Sequence, residues 1–127
     1  MKTLLLAHVA VLLLCSCGLI KTKDEVEEFI PGVYIRFSQH EYGTEYDTIV
    51  ISVQNRSANE YHIVRMWKYE RVLDGTPIVP EYKLTKTSGI YHAKNKILQD
   101  TEAGDIISFD VKRNLLLTGS IEYKKIK

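Results

Sequence analysis

The stretch Tyr61-His62-Ile63-Val64-Arg65-Met66-Trp67-Lys68-Tyr69-Glu70-Arg71 concentrates the side chains best suited to hold a ligand. Strand periodicity puts Tyr61, Ile63, Arg65, Trp67, Tyr69 and Arg71 on one face, with His62, Val64, Met66, Lys68 and Glu70 on the other. The first face alternates aromatic bulk with guanidinium groups and carries the only tryptophan of the chain. Lining a barrel mouth, Arg65 and Arg71 would grip a carboxylate or phosphate while Trp67 and Tyr69 pack against the ligand body. On a solvent-facing sheet the same residues would only stack cation on ring, or pair an arginine with Glu60 or Glu81. Arg65, Trp67, Tyr69 and Arg71 are thus the candidate ligand or partner face.

No motif for covalent or metal chemistry accompanies them. There is no Gly-rich phosphate loop, no Gly-x-Ser-x-Gly elbow and no Cys-x-x-Cys. His40-Glu41 opens like a zinc-protease motif, but Thr44 stands where the second histidine belongs. His62 and His92 each follow a tyrosine, whereas a metal site needs three or four convergent ligands. The histidines read as solvent-facing strand residues. No catalytic residue, metal or cofactor is expected, and no enzymatic activity. The closing Lys124-Lys125-Ile126-Lys127 reads as a solvated basic cluster.

The elements that must position this face are strands. From Ile30 onward Tyr, Ile, Val and Thr abound, and turn residues recur at short intervals. The pattern predicts strands over 32–38, 46–54, 60–72, 78–91, 96–101, 105–110, 114–118 and 120–126. Alternation is plain at Ile49, Ile51 and Val53, with Thr48 and Ser52 opposite. Leu73-Asp74-Gly75-Thr76 suits a tight type I′ hairpin between the two longest predicted strands, and Pro77 and Pro80 place the start of the second at an edge. No helix of ten or more residues is visible after Pro31. About eight strands with short connections predict an all-β antiparallel meander, which can close into a small up-and-down barrel and so remove its edges. A two-sheet sandwich is the alternative.

Two short motifs carry a resemblance. Gly32-Val33-Tyr34 stands where a Gly-x-Trp opens the barrel of lipocalin-like domains in small bacterial lipoproteins, with Tyr in place of Trp. Asp110-Val111-Lys112-Arg113-Asn114-Leu115-Leu116 resembles the acid-x-x-x-Asn-x-Leu hairpin that closes them. The resemblance implies a lipocalin-like barrel.

The N-terminus reads as an address. Lys2 precedes an eleven-residue, nearly unbroken apolar run, Leu4–Leu14. Crossing ~30 Å of hydrocarbon takes roughly 20 helical residues, so this run has the length of a signal-peptide core and not of a span. Leu14-Cys15-Ser16-Cys17 resembles the bacterial lipobox, in which a small residue precedes the cysteine that signal peptidase II exposes. Ser16 fits that small position, which assigns residues 1–16 as signal peptide and Cys17 as the lipidated residue. The resemblance implies two or three acyl chains on Cys17, each buried methylene contributing ~0.8 kcal/mol, enough to hold the chain on a bilayer. Gly18 in place of Asp favours the outer membrane. Residues 17–29 then form the lipidated cysteine and an acidic tether. Lys23-Asp24-Glu25 resembles a surface-export signal of Bacteroidota lipoproteins, though a solvated linker is the preferred reading. Thr22 with Glu25 matches a capping box for a turn over 23–29, ended by Pro31-Gly32. Residues 30–127 are expected to form a single β domain.

Composition narrows the function. In 127 residues, 17 basic side chains face 16 acidic ones, a net charge of +1, which lacks the positive field of a nucleic-acid binder. Two cysteines almost side by side cannot staple distant loops. The reading is a membrane-anchored envelope lipoprotein, a non-enzymatic binding or accessory module contacting a protein partner or envelope component, with the long Asp74-Gly75 hairpin as a natural contact surface. The alternative is a lipocalin-like carrier of a small apolar or anionic ligand. A carrier needs a cavity of several hundred Å³, and an axis filled by Trp67, Phe109 and Leu115–Leu117 would leave none.

Overall fold

The computed structural model describes residues 23–127. The signal peptide expected over residues 1–16, the lipidation expected at Cys17 and the first part of the expected tether lie outside the described residues.

Alternating apolar side chains separated by tight turns build a meander. The strands are β1 (Gly32–His40), β2 (Gly43–Asn55), β3 (Glu60–Leu73), β4 (Thr76–Pro77), β5 (Glu81–His92), β6 (Ile97–Asp100), β7 (Ile106–Asp110), β8 (Leu115–Thr118) and β9 (Ile121–Lys125). Eight of them pair antiparallel in the order β1-β2-β3-β5-β6-β7-β8-β9, and β4 is an extra two-residue strip within the β3–β5 hairpin. β9 returns to β1 through Tyr34↔Lys125 and Ile35↔Lys124, which closes the sheet on itself. The fold is therefore a closed barrel and not the two-sheet sandwich kept as the alternative.

Each of the eight strands sends one or two side chains to the axis: Tyr34, Ile49, Ile51, Tyr61, Ile63, Tyr91, Leu98, Ile107, Leu116 and Tyr123 are all buried. Turn chemistry sets the strand ends. Asp74 and Gly75 have φ of 50° and 76°, the paired left-handed conformation of a type I′ turn. The strand predicted over 78–91 is broken near its start. Ile78 N–H donates to Arg71 C=O and Glu81 pairs with Tyr69, so Val79 and Pro80 together oppose Glu70 alone. Proline cannot donate to a ladder, and the extra residue is absorbed as a bulge. As a result β2, at 13 residues, exceeds the 12 of β5 and is second in length to β3.

A short helix, α1 (Glu25–Phe29), closes one end of the barrel. Its N-cap is Asp24 and not the expected Thr22: Asp24 Oδ1 accepts from the amides of Val26 at 3.0 Å and Glu27 at 3.2 Å. Val26 and Ile30 are buried in the core, and Tyr91 Oη donates to Asp24 Oδ2 at 2.8 Å. Tyr34 Oη donates to the carbonyls of Phe29 and Ile30, so the Gly32-Val33-Tyr34 segment docks the helix from below. Residues 24–29, within the expected acidic tether, form the helical turn that the capping signal allowed and pack against the barrel.

The opposite end is uneven. β1, β2, β3 and β5 run 9 to 14 residues, whereas β6 to β9 run only 4 or 5. At about 3.3 Å per residue the long strands overshoot the short ones by several turns of pleat. The barrel thus has a low rim on one side and a four-stranded blade on the other.

Candidate functional site

The alternation that buries Tyr61 and Ile63 continues up β3, so Arg65, Trp67, Tyr69 and Arg71 leave the core on the same face and line the concave side of the blade. A trough of about 750 Å³ lies between this blade and the low rim. Ile49, Ile63, Ile107 and Ile121 supply apolar lining, and Arg65, Lys83, Thr85 and Thr87 supply the polar wall on the blade side. A smaller recess of about 320 Å³ continues upward between Arg65, Trp67, Lys83 and Thr85. Among the described residues the axis is filled toward α1, where Phe29, Tyr34 and Phe109 meet at 5.9 to 6.2 Å between ring centres, Phe29 edge to face with the other two. Leu116 is buried, but Leu115 and Leu117 are not, and Trp67 stands at the mouth. A plug of Trp67, Phe109 and Leu115–Leu117 does not form.

The trough rests on a buried charge. Asp47, 1% exposed, accepts from Arg65 Nε at 2.9 Å (Oδ1), from Arg65 Nη2 (Oδ2) and from Tyr123 Oη at 2.7 Å (Oδ2). Removing a carboxylate from water is costly unless its oxygens are fully paired, and here both are. The bond to Asp47 raises the Arg65 pKa, more than offsetting partial burial. Burial, followed by the same carboxylate, pushes the Tyr123 hydroxyl up to about 12. Arg65 is nevertheless 49% exposed at its side chain, so the half of the guanidinium not held by Asp47 faces the trough. Lys83 stands opposite Trp67 in the β3–β5 register and takes part in no ion pair among the described residues. It is the uncommitted cation of the mouth. On the low rim Asp100 is spent internally, accepting from Thr87 Oγ1 at 2.6 Å and from the amides of Glu102 and Ala103 at 2.9 Å.

Above the trough the aromatic residues form a ladder. Trp67 stacks on Tyr69 (5.8 Å, 24°), Tyr69 on His40 (6.0 Å, 30°), and the Arg71 guanidinium lies 5.6 Å from the Tyr69 ring centre. Trp67 Nε1 donates to Glu45, which fixes the indole plane. Tyr69 lies across Gly43: a Cβ there would come within 2.9 Å of its ring and against the Glu70 carbonyl. Arg71 pairs with Glu81 at 3.4 Å, one of the two partners the sequence offered. Of the four candidate residues, Arg65 and Trp67 therefore meet around one cavity. Tyr69 and Arg71 buttress them from above without lining it.

The outer side of the blade carries a second set of side chains. Phe37, Tyr46, Lys68 and Tyr82 align across β1, β2, β3 and β5, with Lys68 Nζ 5.4 Å from the Tyr46 ring centre and 5.8 Å from that of Tyr82. Met66 and Leu84 lie beside them, exposed.

Sequence reasoning overlooked Asp47, Lys83 and Tyr123. Asp47 lies two residues before Ile49 in an alternating run whose inward members were already identified, and that spacing was signal enough. Lys83, Thr85 and Thr87 also alternate, but nothing local distinguishes them from an ordinary polar edge. Among the described residues no group of three His, Cys, Asp or Glu side chains converges as a metal site would. Compared with protein families, curated proteins and solved structures, the chain matches none.

Proposed function

We propose that the protein is a non-enzymatic binding module whose working site is the open mouth of the barrel, where it receives part of a protein partner or envelope component. The observation that supports this most is the trough of about 750 Å³ itself, with an isoleucine floor, a half-exposed Arg65, a Lys83 that joins no ion pair among the described residues, and the sole tryptophan in the recess that continues above it. Small-molecule sites usually enclose 70–90% of their ligand. This trough is walled by long strands on the blade side and by short strands and their turns on the rim side, a shape better suited to a segment that reaches in. A photo-crosslinking residue at Thr85, in the mouth, should capture a partner from envelope extract, whereas one at Glu122, on the outer wall, should not. Crosslinks from Glu122 alone, or from neither position, would overturn the mouth as the site.

The isoleucine floor supports a second reading, a carrier of small anionic amphiphiles. Dodecanoate should then shift Trp67 fluorescence saturably, and Lys83→Glu should abolish the shift. Residence at a bacterial envelope, probed through Cys17, belongs to the same proposal: Cys17→Ala should abolish palmitate labelling, and persistent labelling would refute acylation at that residue.

A further inference from the structure

We infer that the mouth takes its partner as an added β-strand, an extended acidic segment laid along the free edge of β5. The inference rests on the mouth being the binding site and specifies how the backbone takes part. β6 pairs with β5 only from Gly89 onward, and the last bond on that side runs from Thr101 N–H to Ser88 C=O at 2.9 Å. Tyr91 N–H points the other way, to Asn59 C=O. Backbone groups alternate along a strand, so the odd-numbered residues of β5 face β3 and the even-numbered ones face outward. The N–H and C=O groups of Tyr82, Leu84 and Lys86 therefore project from the edge, and no strand pairs with them among the described residues. An unpaired edge is a template for strand addition.

The trough lies along this edge. Lys83, Thr85 and Thr87 point into it from β5, and the β6–β7 turn with Asp105 and the β8–β9 turn with Gly119 form its far wall. A strand added here would send alternate side chains down over the isoleucine floor and the others out beside Tyr82 and Leu84, which are 72% and 61% exposed. The upper part of β1, from Arg36 to His40, also has no strand on its outer side among the described residues, but no β1 residue lines the trough.

Charge selects the occupant. Lys83 on the inner face and Lys86 on the outer face of the edge join no ion pair among the described residues. An acidic strand would meet both, with its carboxylates drawn toward β5 and away from Asp105. A second copy of β5 would bring lysines toward lysines, and the bulge at Val79-Pro80 ends the edge on that side.

The test selects octapeptides from a random displayed library on residues 18–127, which carry every described element, and follows the enriched peptides by Trp67 fluorescence and amide exchange. Enrichment of Asp and Glu alternating with Val, Ile or Thr is expected. Binding should protect the Leu84 and Lys86 amides at least tenfold, and N-methylation at alternate peptide positions should weaken it at least tenfold where the intervening positions tolerate it. Lys83→Glu with Lys86→Glu should cost about tenfold in affinity, and both positions are exposed enough for the barrel to keep its fold. Peptides that shift Trp67 without protecting Leu84 and Lys86 would overturn strand addition while leaving the mouth as the site. So would failure to enrich any peptide while the Thr85 crosslinker still captures a partner. Loss of both signals would remove the mouth reading as well.

Discussion

Asp47 and Arg65 are unequal partners, and the inequality decides what each contributes. Asp47 is shut away from water while half of Arg65 remains in it. Deleting the guanidinium leaves a buried carboxylate held, among the described residues, only by the Tyr123 hydroxyl, a situation that typically costs about 3–5 kcal/mol. Neutralising the carboxylate leaves a cation that can turn to solvent, at a cost of about 1–2 kcal/mol. Arg65→Met is therefore expected to destabilise the barrel more than Asp47→Asn, as read from urea unfolding midpoints at constant slope. Equal losses would mean that Arg65 draws no support from solvent. The pairing also divides the work of the mouth. Arg65 is preorganised but half-neutralised, so on the proposed reading Lys83 would supply most of the attraction for an anion, and Trp67, pinned through Glu45, would report what binds beside it.

At the scale of elements, α1 is five residues long, too short to persist alone, and its stability comes from being docked. Burial alone would raise the Asp24 carboxyl, but the Tyr91 hydroxyl and the Glu27 and Val26 amides outweigh it and bring the pKa below its ordinary 3.8. A depressed carboxyl contributes stability that is present above the unfolded value and lost as pH falls through the folded one. Asp24→Ala should cost about 1 kcal/mol near neutrality through loss of the cap. Thermal melts of the two proteins from pH 7 downward should converge below pH 3.8. A gap that stays constant would mean that the cap does not depend on the carboxylate charge, and no gap at any pH would mean that the helix is held by Val26 and Ile30 alone. Strand positions were legible because alternation and turn residues are local signals: Ile49-x-Ile51-x-Val53 marks β2, and Asp74-Gly75 marks the hairpin. The α1 dock was not legible, since Asp24 meets Tyr91 across 67 residues. Arg65, Trp67, Tyr69 and Arg71 share one face of β3, as alternation implies. Its division into cavity wall and buttress depends on where the neighbouring strands stop, which Arg65 and Arg71 do not announce.

Across the described barrel, the proposed binding mouth and the end closed by α1 lie opposite each other. The chain comes in beside α1 at the filled end, and the trough opens at the other. An anchor at Cys17 would therefore direct the mouth away from the bilayer, toward partners arriving from the aqueous side. The same architecture has a kinetic consequence. Seven of the barrel's eight junctions join strands adjacent in the meander, but the β1–β9 seam joins Tyr34 to Lys125, about ninety residues apart. It is held by two residue pairs and by the bonds from Ile126 N–H to Val33 C=O (2.8 Å) and from Val33 N–H to Lys127 C=O (3.1 Å). Loop-closure entropy must be met before so distant a contact returns anything, so the hairpins should assemble first and the seam last. Removing residues 126–127 is expected to speed unfolding while leaving the refolding rate nearly unchanged, which stopped-flow chevrons would show. Slowed refolding would instead place the seam in the nucleus. The barrel is in this sense a ribbon that learns its inside and outside before it becomes a ring, and the late ring closure is the step at which it is most open to pairing with the wrong strand.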